Sequence, residues 1–275
     1  NIKNGNVYYS KVDLDQKVKK IGAGSTNSYF LTDTGKVYSC GHRSFVGFLW
    51  YEDVIKPKQI TFPTNYPIVD VACSSGAYHC IVLDSNGQAF SWGHNRVGQL
   101  GFDPKSELMK SEVEIDATNS EDFCPLLFLP TKINYPYPIF KIMSGWGHSG
   151  IISNGKLFLF GRGMEGQLNL PLKECKINNR DHRYQNELIG AKTPGFLQIK
   201  NAHTFGTVST IEIVSKNPKV KSGIYFCGKQ SPPQRPKSIS YNFEHVPRSE
   251  RHTEFKFISD KYVVCKQLSP NQEMS

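Results

Sequence analysis

No two of the seven cysteines are spaced Cys-x-x-Cys, and their number is odd. That argues against a disulfide framework or a zinc ribbon. Cys40 and Cys227 sit inside apolar, strand-like runs and read as buried thiols of a reducing compartment. A metal could at most be gathered from Cys73, His79 and Cys80, and the repeat described below accounts for those positions without one. No metal and no cofactor are expected. There is no apolar run long enough to span a bilayer and no charged-then-apolar start like that of a secretory leader. An intracellular protein, cytoplasmic or nuclear, is therefore expected. The first residue is Asn rather than Met, so a native start is expected upstream. No serine or cysteine stands in a nucleophile elbow, and no acid–base pair is legible, so no catalytic residue is assigned. A strong charge bias is also missing. Lys and Arg total 33 against 24 Asp and Glu, an excess of nine that is spread along the chain and suits solubility.

What is present is glycine in a pattern. "SWGHNRVGQLG", residues 91–101, and "LFGRGMEGQLN", residues 159–169, share one layout. The second contains Gly161-x-Gly163-x-x-Gly166, the letter pattern of a dinucleotide-binding loop. That loop needs a helix behind it to aim its N-terminus at phosphate. Pro171 and the Gln-Leu-Asn-Leu run leave no room for one, and the same glycines recur without Gly163 at Gly93 and Gly98.

The recurrence extends further. Residues 18–41, 68–93 and 139–161 line up. Each begins with an apolar, partly alternating run and reaches a glycine: Gly24, Gly76, Gly145. Three residues on stands a side chain able to bond to backbone: Asn27, His79, His148. An apolar strand, a glycine turn and a closing glycine follow: Gly41, Gly93, Gly161. Asn-Gly and Thr-Gly between β-branched runs predict tight hairpins, since glycine accepts positive φ. Gly98-Gln-Leu-Gly101 then matches Gly166-Gln-Leu-Asn169, with Asn as the tolerated substitute in a left-handed position. A Pro-x-x-apolar step at Pro57, Pro130, Pro194 and Pro236 predicts a fourth, outer strand, because proline on an edge loses no ladder bond. Residues 208–228 form a degenerate fourth unit. Residues 5–11 resemble a third strand and residues 255–267 a first and second. The expectation is all-β: one β-propeller domain over 1–275 with about five four-stranded blades, the closing blade shared by both termini. Insertions are expected at 102–129 and 170–193.

These units resemble the RCC1 (regulator of chromosome condensation) repeat. The resemblance rests on Gly-x-x-His, the glycine turn, the Ser-Trp-Gly or Leu-Phe-Gly ending, Gly-Gln-Leu-Gly and Pro-x-x-Ile. It is strong over 18–169 and weaker over 194–267 and 1–11. Gly47-Phe-Leu-Trp50 departs from it, and the founding member has seven blades where five are counted here. The resemblance implies a protein partner. Some members are guanine-nucleotide exchange factors for the small GTPase Ran; others are interaction modules in ubiquitin ligases, channel-associated proteins and cytoskeletal scaffolds. Short bacterial effectors of this type act on host GTPases, which would place the protein in host cytoplasm.

An exchange factor needs no acid–base chemistry, only a rigid element that favours the nucleotide-free partner. The first insertion is acidic, with Glu112, Glu114, Asp116, Glu121 and Asp122; the second carries Arg180 and Arg183. Those seven residues are the candidate partner-binding set. Gly24, Gly41, Gly76, His79, Gly93, Gly101, Gly145, His148 and Gly161 are assigned structural roles. A GTPase-directed binder, a scaffold without GTPase activity, and a chromatin or nucleic-acid binder using residues 235–252 all remain open.

Overall fold

The computed structural model describes residues 2–3, 6–7, 11–110, 125–170, 173, 175–177, 183–190, 198–214, 222–229, 239–245, 253–259 and 262–267. Strands dominate. β1 (Ile2–Lys3) pairs with β2 (Asn6–Val7). The first blade follows as β3 (Val18–Ala23), β4 (Asn27–Thr32), β5 (Val37–Gly41) and β6 (Val54–Gln59). The second is β7 (Ile68–Ala72), β8 (His79–Asp84), β9 (Ala89–His94) and β10 (Leu126–Lys132), with a single helical turn, α1 (Glu107–Lys110), before its last strand. The third holds β11 (Lys141–Ser144), β12 (His148–Ser153), β13 (Lys156–Arg162), β14 (Lys176–Ile177) and β15 (Arg183–Gly190), in the order β11-β12-β13-β15-β14. The fourth is β16 (Gln198–Phe205), β17 (Val208–Val214), β18 (Gly223–Lys229) and β19 (Ile239–His245). A hairpin of β20 (Thr253–Ser259) and β21 (Tyr262–Gln267) begins a fifth.

All blade ladders are antiparallel, and strands neighbour in chain order except in the third blade, where β15 pairs with β13 and β14 lies outside it. Successive first strands touch one another and line a common cavity of 620 Å³. This is a β-propeller. Its packing explains why β8 is buried along its whole length. A blade is pressed between two others, so both faces of its strands must be apolar. Cys80 and Val82 join Tyr29, Leu31 and Val37 of the first blade; Ile81 and Leu83 join Ile142, Ile151 and Phe160 of the third. The next seam packs Met143, Leu157 and Leu159 against Ile211, Ile213 and Tyr225.

The closing glycine of each unit has a specific cause. Gly93 and Gly161 hold φ at 101° and 102°, where L-residues are strained. A Cβ on Gly93 would sit 2.4 Å from the Tyr78 carbonyl oxygen, and one on Gly161 2.6 Å from that of Gly147. The next amides, of His94 and Arg162, donate to those same carbonyls at 2.9 and 2.8 Å. The glycine lets two backbones approach closely enough for that bond. The Gly-Gln-Leu stretch beyond is a chain of tight turns, with Gly166 N–H to Gly163 O at 3.3 Å and Asn169 N–H to Gly166 O at 3.0 Å. Asn169 adopts φ 55° where Gly101 has 81°. Among the described residues no α-helix follows Gly166; residues 164–170 are turns and bends, which lack the helix N-terminus that a phosphate loop uses.

Four sequence expectations need adjustment. The outer strands of the first two blades run up to and through the prolines: Pro57 lies in β6 and Pro130 in β10. The Ile60 and Ile133 amides then close on Val37 and Ala89 carbonyls. In the third blade the outer strand is β15, which falls within 170–193 rather than after Pro194, so that stretch is not simply an insertion. Cys40 is only half-buried, whereas Cys227 is fully enclosed. At the chain's ends, β1 pairs with β2 and β20 with β21; among the described residues no ladder joins the two pairs.

Candidate functional site

His79 and His148 open β8 and β12 and are fully buried. Each points into the following blade. His79 Nε2 meets Ser149 Oγ at 2.8 Å, and Ser149 Oγ donates to the Gln99 carbonyl at 2.8 Å. His148 Nε2 meets Ser209 Oγ at 3.0 Å, and Ser209 Oγ donates to the Gln167 carbonyl at 2.8 Å. Because each serine gives its proton to a carbonyl, the histidine must donate through Nε2. Burial holds His79 down at about 3 and His148 at about 4, so both are neutral imidazoles. In the first blade Asn27 occupies this place and donates to the His42 carbonyl of its own blade at 3.0 Å. Gly145 lies under the His148 ring, 2.2 Å from Cε1 to an added Cβ, and Gly24 and Gly76 pack against Cys73 and Trp146 in the same way.

One rim of the propeller carries the first-to-second strand turns and the third-to-fourth strand connections; we call it the upper face. The sequence reading did not single out its most exposed large side chains. Trp146, 44% exposed, sits in the β11–β12 turn. Its ring lies against Gly76 of the second blade and beneath the Arg162 guanidinium, 5.2 Å from the ring centre. Glu165 holds that guanidinium through contacts of 2.6 to 3.0 Å. Burial pushes the Glu165 carboxyl up, but bonds from Arg162 and Gln167 outweigh it and leave it below its ordinary value. Tyr78 is exposed and packs 5.3 Å from His94 and 5.5 Å from Phe45. Burial first, then the charges of Arg96 and His42, lower His94 to about 4. On the β5–β6 connection Lys58 covers Trp50, while Tyr51 is 91% exposed. An aromatic immediately or one residue further before the His of a repeat, as in Ala-Tyr-His and Trp-Gly-His, was the legible signal for Tyr78 and Trp146.

The segments following Gly101 and Asn169 leave from this same rim. Glu112, Glu114, Asp116, Glu121, Asp122 and Arg180 lie outside the described residues, and Arg183 contributes only its backbone, at the start of β15. Below the rim, Lys20 pairs with Asp70 across the first seam, and Lys141 bonds Asn201 across the third. His203 also lines the cavity; burial, then Lys141 and Lys20, lower it to about 3. Among the described residues no three His, Cys, Asp or Glu side chains converge to hold a metal, and no helix is long and apolar enough to cross a membrane.

Comparison with known proteins places this geometry. The pattern of the regulator of chromosome condensation (RCC1) repeat matches residues 18–45 and 68–99, and a second form of it matches 86–152. The chain is 32% identical over 155 residues to the E3 ubiquitin-protein ligase HERC2 of Mus musculus, covering 55% of this chain and 3% of that protein. It is 25% identical over 215 residues to the mouse RCC1-like G exchanging factor-like protein, covering 58% and 44%. Prp20p of Saccharomyces cerevisiae, described with its binding to Gsp1p and histones, superposes with a TM-score of 0.57 at 22% identity over 74% of this chain and 45% of Prp20p. The chain thus spans less than half the length of each of these proteins. Repeat pattern, blade order and the glycine-closed strands agree: residues 18–45 and 68–152 carry RCC1 repeats, and the chain folds as an RCC1-like β-propeller.

Proposed function

We propose that the propeller is a protein-docking module whose partner is a small GTPase of the Ran type, and that it acts as a guanine-nucleotide exchange factor by favouring the nucleotide-free form. The observation that carries this is the upper face. Trp146, Tyr78, Trp50 and Tyr51 are exposed on the rim from which an acidic and a basic connection leave. Exposed aromatics beside arginine are typical interface anchors. The names of the relatives favour the same direction: one is called a G exchanging factor-like protein, and Prp20p binds Gsp1p. Exchange requires only tighter binding to the empty GTPase than to the loaded one, which fits a site without catalytic groups. The protein would work in cytoplasm or nucleus, or in host cytoplasm as an effector.

Release of a fluorescent guanine nucleotide from a panel of small GTPases tests this. Acceleration for one of them, and tighter capture of its empty form, is expected. The likeness to a segment of a ubiquitin ligase favours a second reading, a scaffold without GTPase activity. No acceleration and no nucleotide-dependent capture, with another protein recovered from extract through the same face, would establish that second reading.

A further inference from the structure

Each of the first four blades sets one residue of its first strand opposite one of its second, just inside the upper rim. These are Ala23 and Ser28, Ser144 and Ser149, and Thr204 and Ser209. In the second blade the ladder ends with Ala72 opposite Ile81, so the corresponding pair is Cys73 and Cys80. In the third blade the neighbouring pair, Gly145 and His148, is hydrogen-bonded at 2.7 Å. The serine pair is therefore the close, non-hydrogen-bonded kind, with Cα atoms about 4.5 Å apart. Both serine hydroxyls indeed reach one atom, His79 Nε2, at 2.8 and 3.2 Å. A separation of about 4.5 Å falls within the range a disulfide spans.

Cys73 and Cys80 point the same way, into the cluster between first and second blades. There Asn27 replaces the histidine and bonds within its own blade. Cys80 is fully buried, and burial, then the neighbouring Cys73 thiol, raise its pKa well above the ordinary value. Cys73 is half-buried, lines the central cavity, and donates from Sγ to the His79 carbonyl at 3.4 Å. A Cβ on Gly24 would come within 2.9 Å of that sulfur, so the first blade leaves it room only because glycine stands there.

We propose that Cys73 and Cys80 form a redox pair, oxidised to a cross-strand disulfide by a hydroperoxide that enters the central cavity. The Cys73 thiolate attacks the terminal peroxide oxygen; the O–O bond breaks, Cys73 becomes a sulfenic acid, and an alcohol leaves (water, from hydrogen peroxide). The Cys80 sulfur then attacks the Cys73 sulfur. The S–S bond forms, the S–O bond breaks, and the hydroxyl leaves as water with the Cys80 proton. Two thiols lose two electrons and two protons, and the hydroperoxide takes up both electrons.

The test treats the full chain with hydrogen peroxide, blocks free thiols under denaturing conditions, and maps peptides without reductant. A single linked peptide holding both Cys73 and Cys80, about 2 Da lighter than its dithiol form and regaining that mass on reduction, is expected in most molecules. Cys80→Ser, which installs the third blade's own residue, is expected to leave a sulfenic acid at Cys73 that dimedone traps and wild type does not show. The proposal fails if both wild-type thiols stay open to alkylation. It fails equally if Cys73 proceeds to sulfinic acid while Cys80 remains free. Should Cys80→Ser not fold, Cys73→Ser decides, since the linked peptide must then vanish.

Discussion

At the scale of single residues, the backbone positions that only glycine fills are the firmest. Gly161→Ala places a Cβ 2.6 Å from the Gly147 carbonyl and asks an L-residue to hold φ near 102°. The strain alone is about 1–2 kcal/mol, and the collision adds to it. Chemical denaturation is expected to show a loss above about 2 kcal/mol, and Gly161→Val no folded protein at all. Asn169, at φ 55°, is the control. Both Asn169→Gly and Asn169→Ala remove a fully buried polar side chain, but only alanine keeps the φ strain, so Asn169→Ala should be less stable than Asn169→Gly by about 1 kcal/mol. These positions were legible in the sequence because a conformational demand is written directly in residue type. Trp146 and Tyr78 carried only a local signal, an aromatic just before the His of a repeat, because an exposed side chain on a connection between strands belongs to no strand periodicity. They show as one surface only once the structure places the turns of separate blades on one rim.

Between elements, the seams differ in chemistry. His148 reaches Ser209 and His79 reaches Ser149, whereas Asn27 faces a blade that offers Cys80. The histidine and its acceptor therefore travel together across neighbouring repeats. A double-mutant cycle on His148→Ala and Ser209→Ala is expected to give a coupling of about 0.5–3 kcal/mol, while Asn27→Ala with Cys80→Ala should be additive. An additive His148–Ser209 cycle would mean the two hydroxyl bonds stabilise nothing beyond their blades. The inner three strands of each unit were readable because their apolar residues, turns and glycines keep fixed spacing. The outer strand was displaced in the reading. Proline marks where an edge strand is tolerated but not where it begins, and β15 has no proline within it. Nor did the sequence show that each histidine bonds the following blade, because spacing along a chain carries no information on which repeat lies beside which.

For the molecule as a whole, these buried imidazoles set its response to acid. Burial above all holds His79 and His203 at about 3 and His94 and His148 at about 4, against an ordinary value of 6.5. In the unfolded chain each takes up a proton near 6.5; in the fold none does until far lower. As pH falls below that value the unfolded state gains protons that the folded state refuses, so stability is intact above pH 6.5 and declines toward pH 4. His79 and His148 are wholly enclosed and each accounts for about 2 kcal/mol by about pH 5, while the partly exposed His94 and His203 count for less. Carboxylates such as Glu165, whose pKa is lowered, act in the same direction but only below their own ordinary range near 4.5. The interval between about 4.5 and 6.5 therefore belongs to histidine. Thermal melts are expected to be flat from about pH 7 to 8 and to fall steadily through that interval. His79→Gln with His148→Gln should melt lower at neutral pH, since the serines of the next blades lose their donors, yet fall less steeply with acid. An unchanged slope in the double variant would show that the acid response comes from other groups.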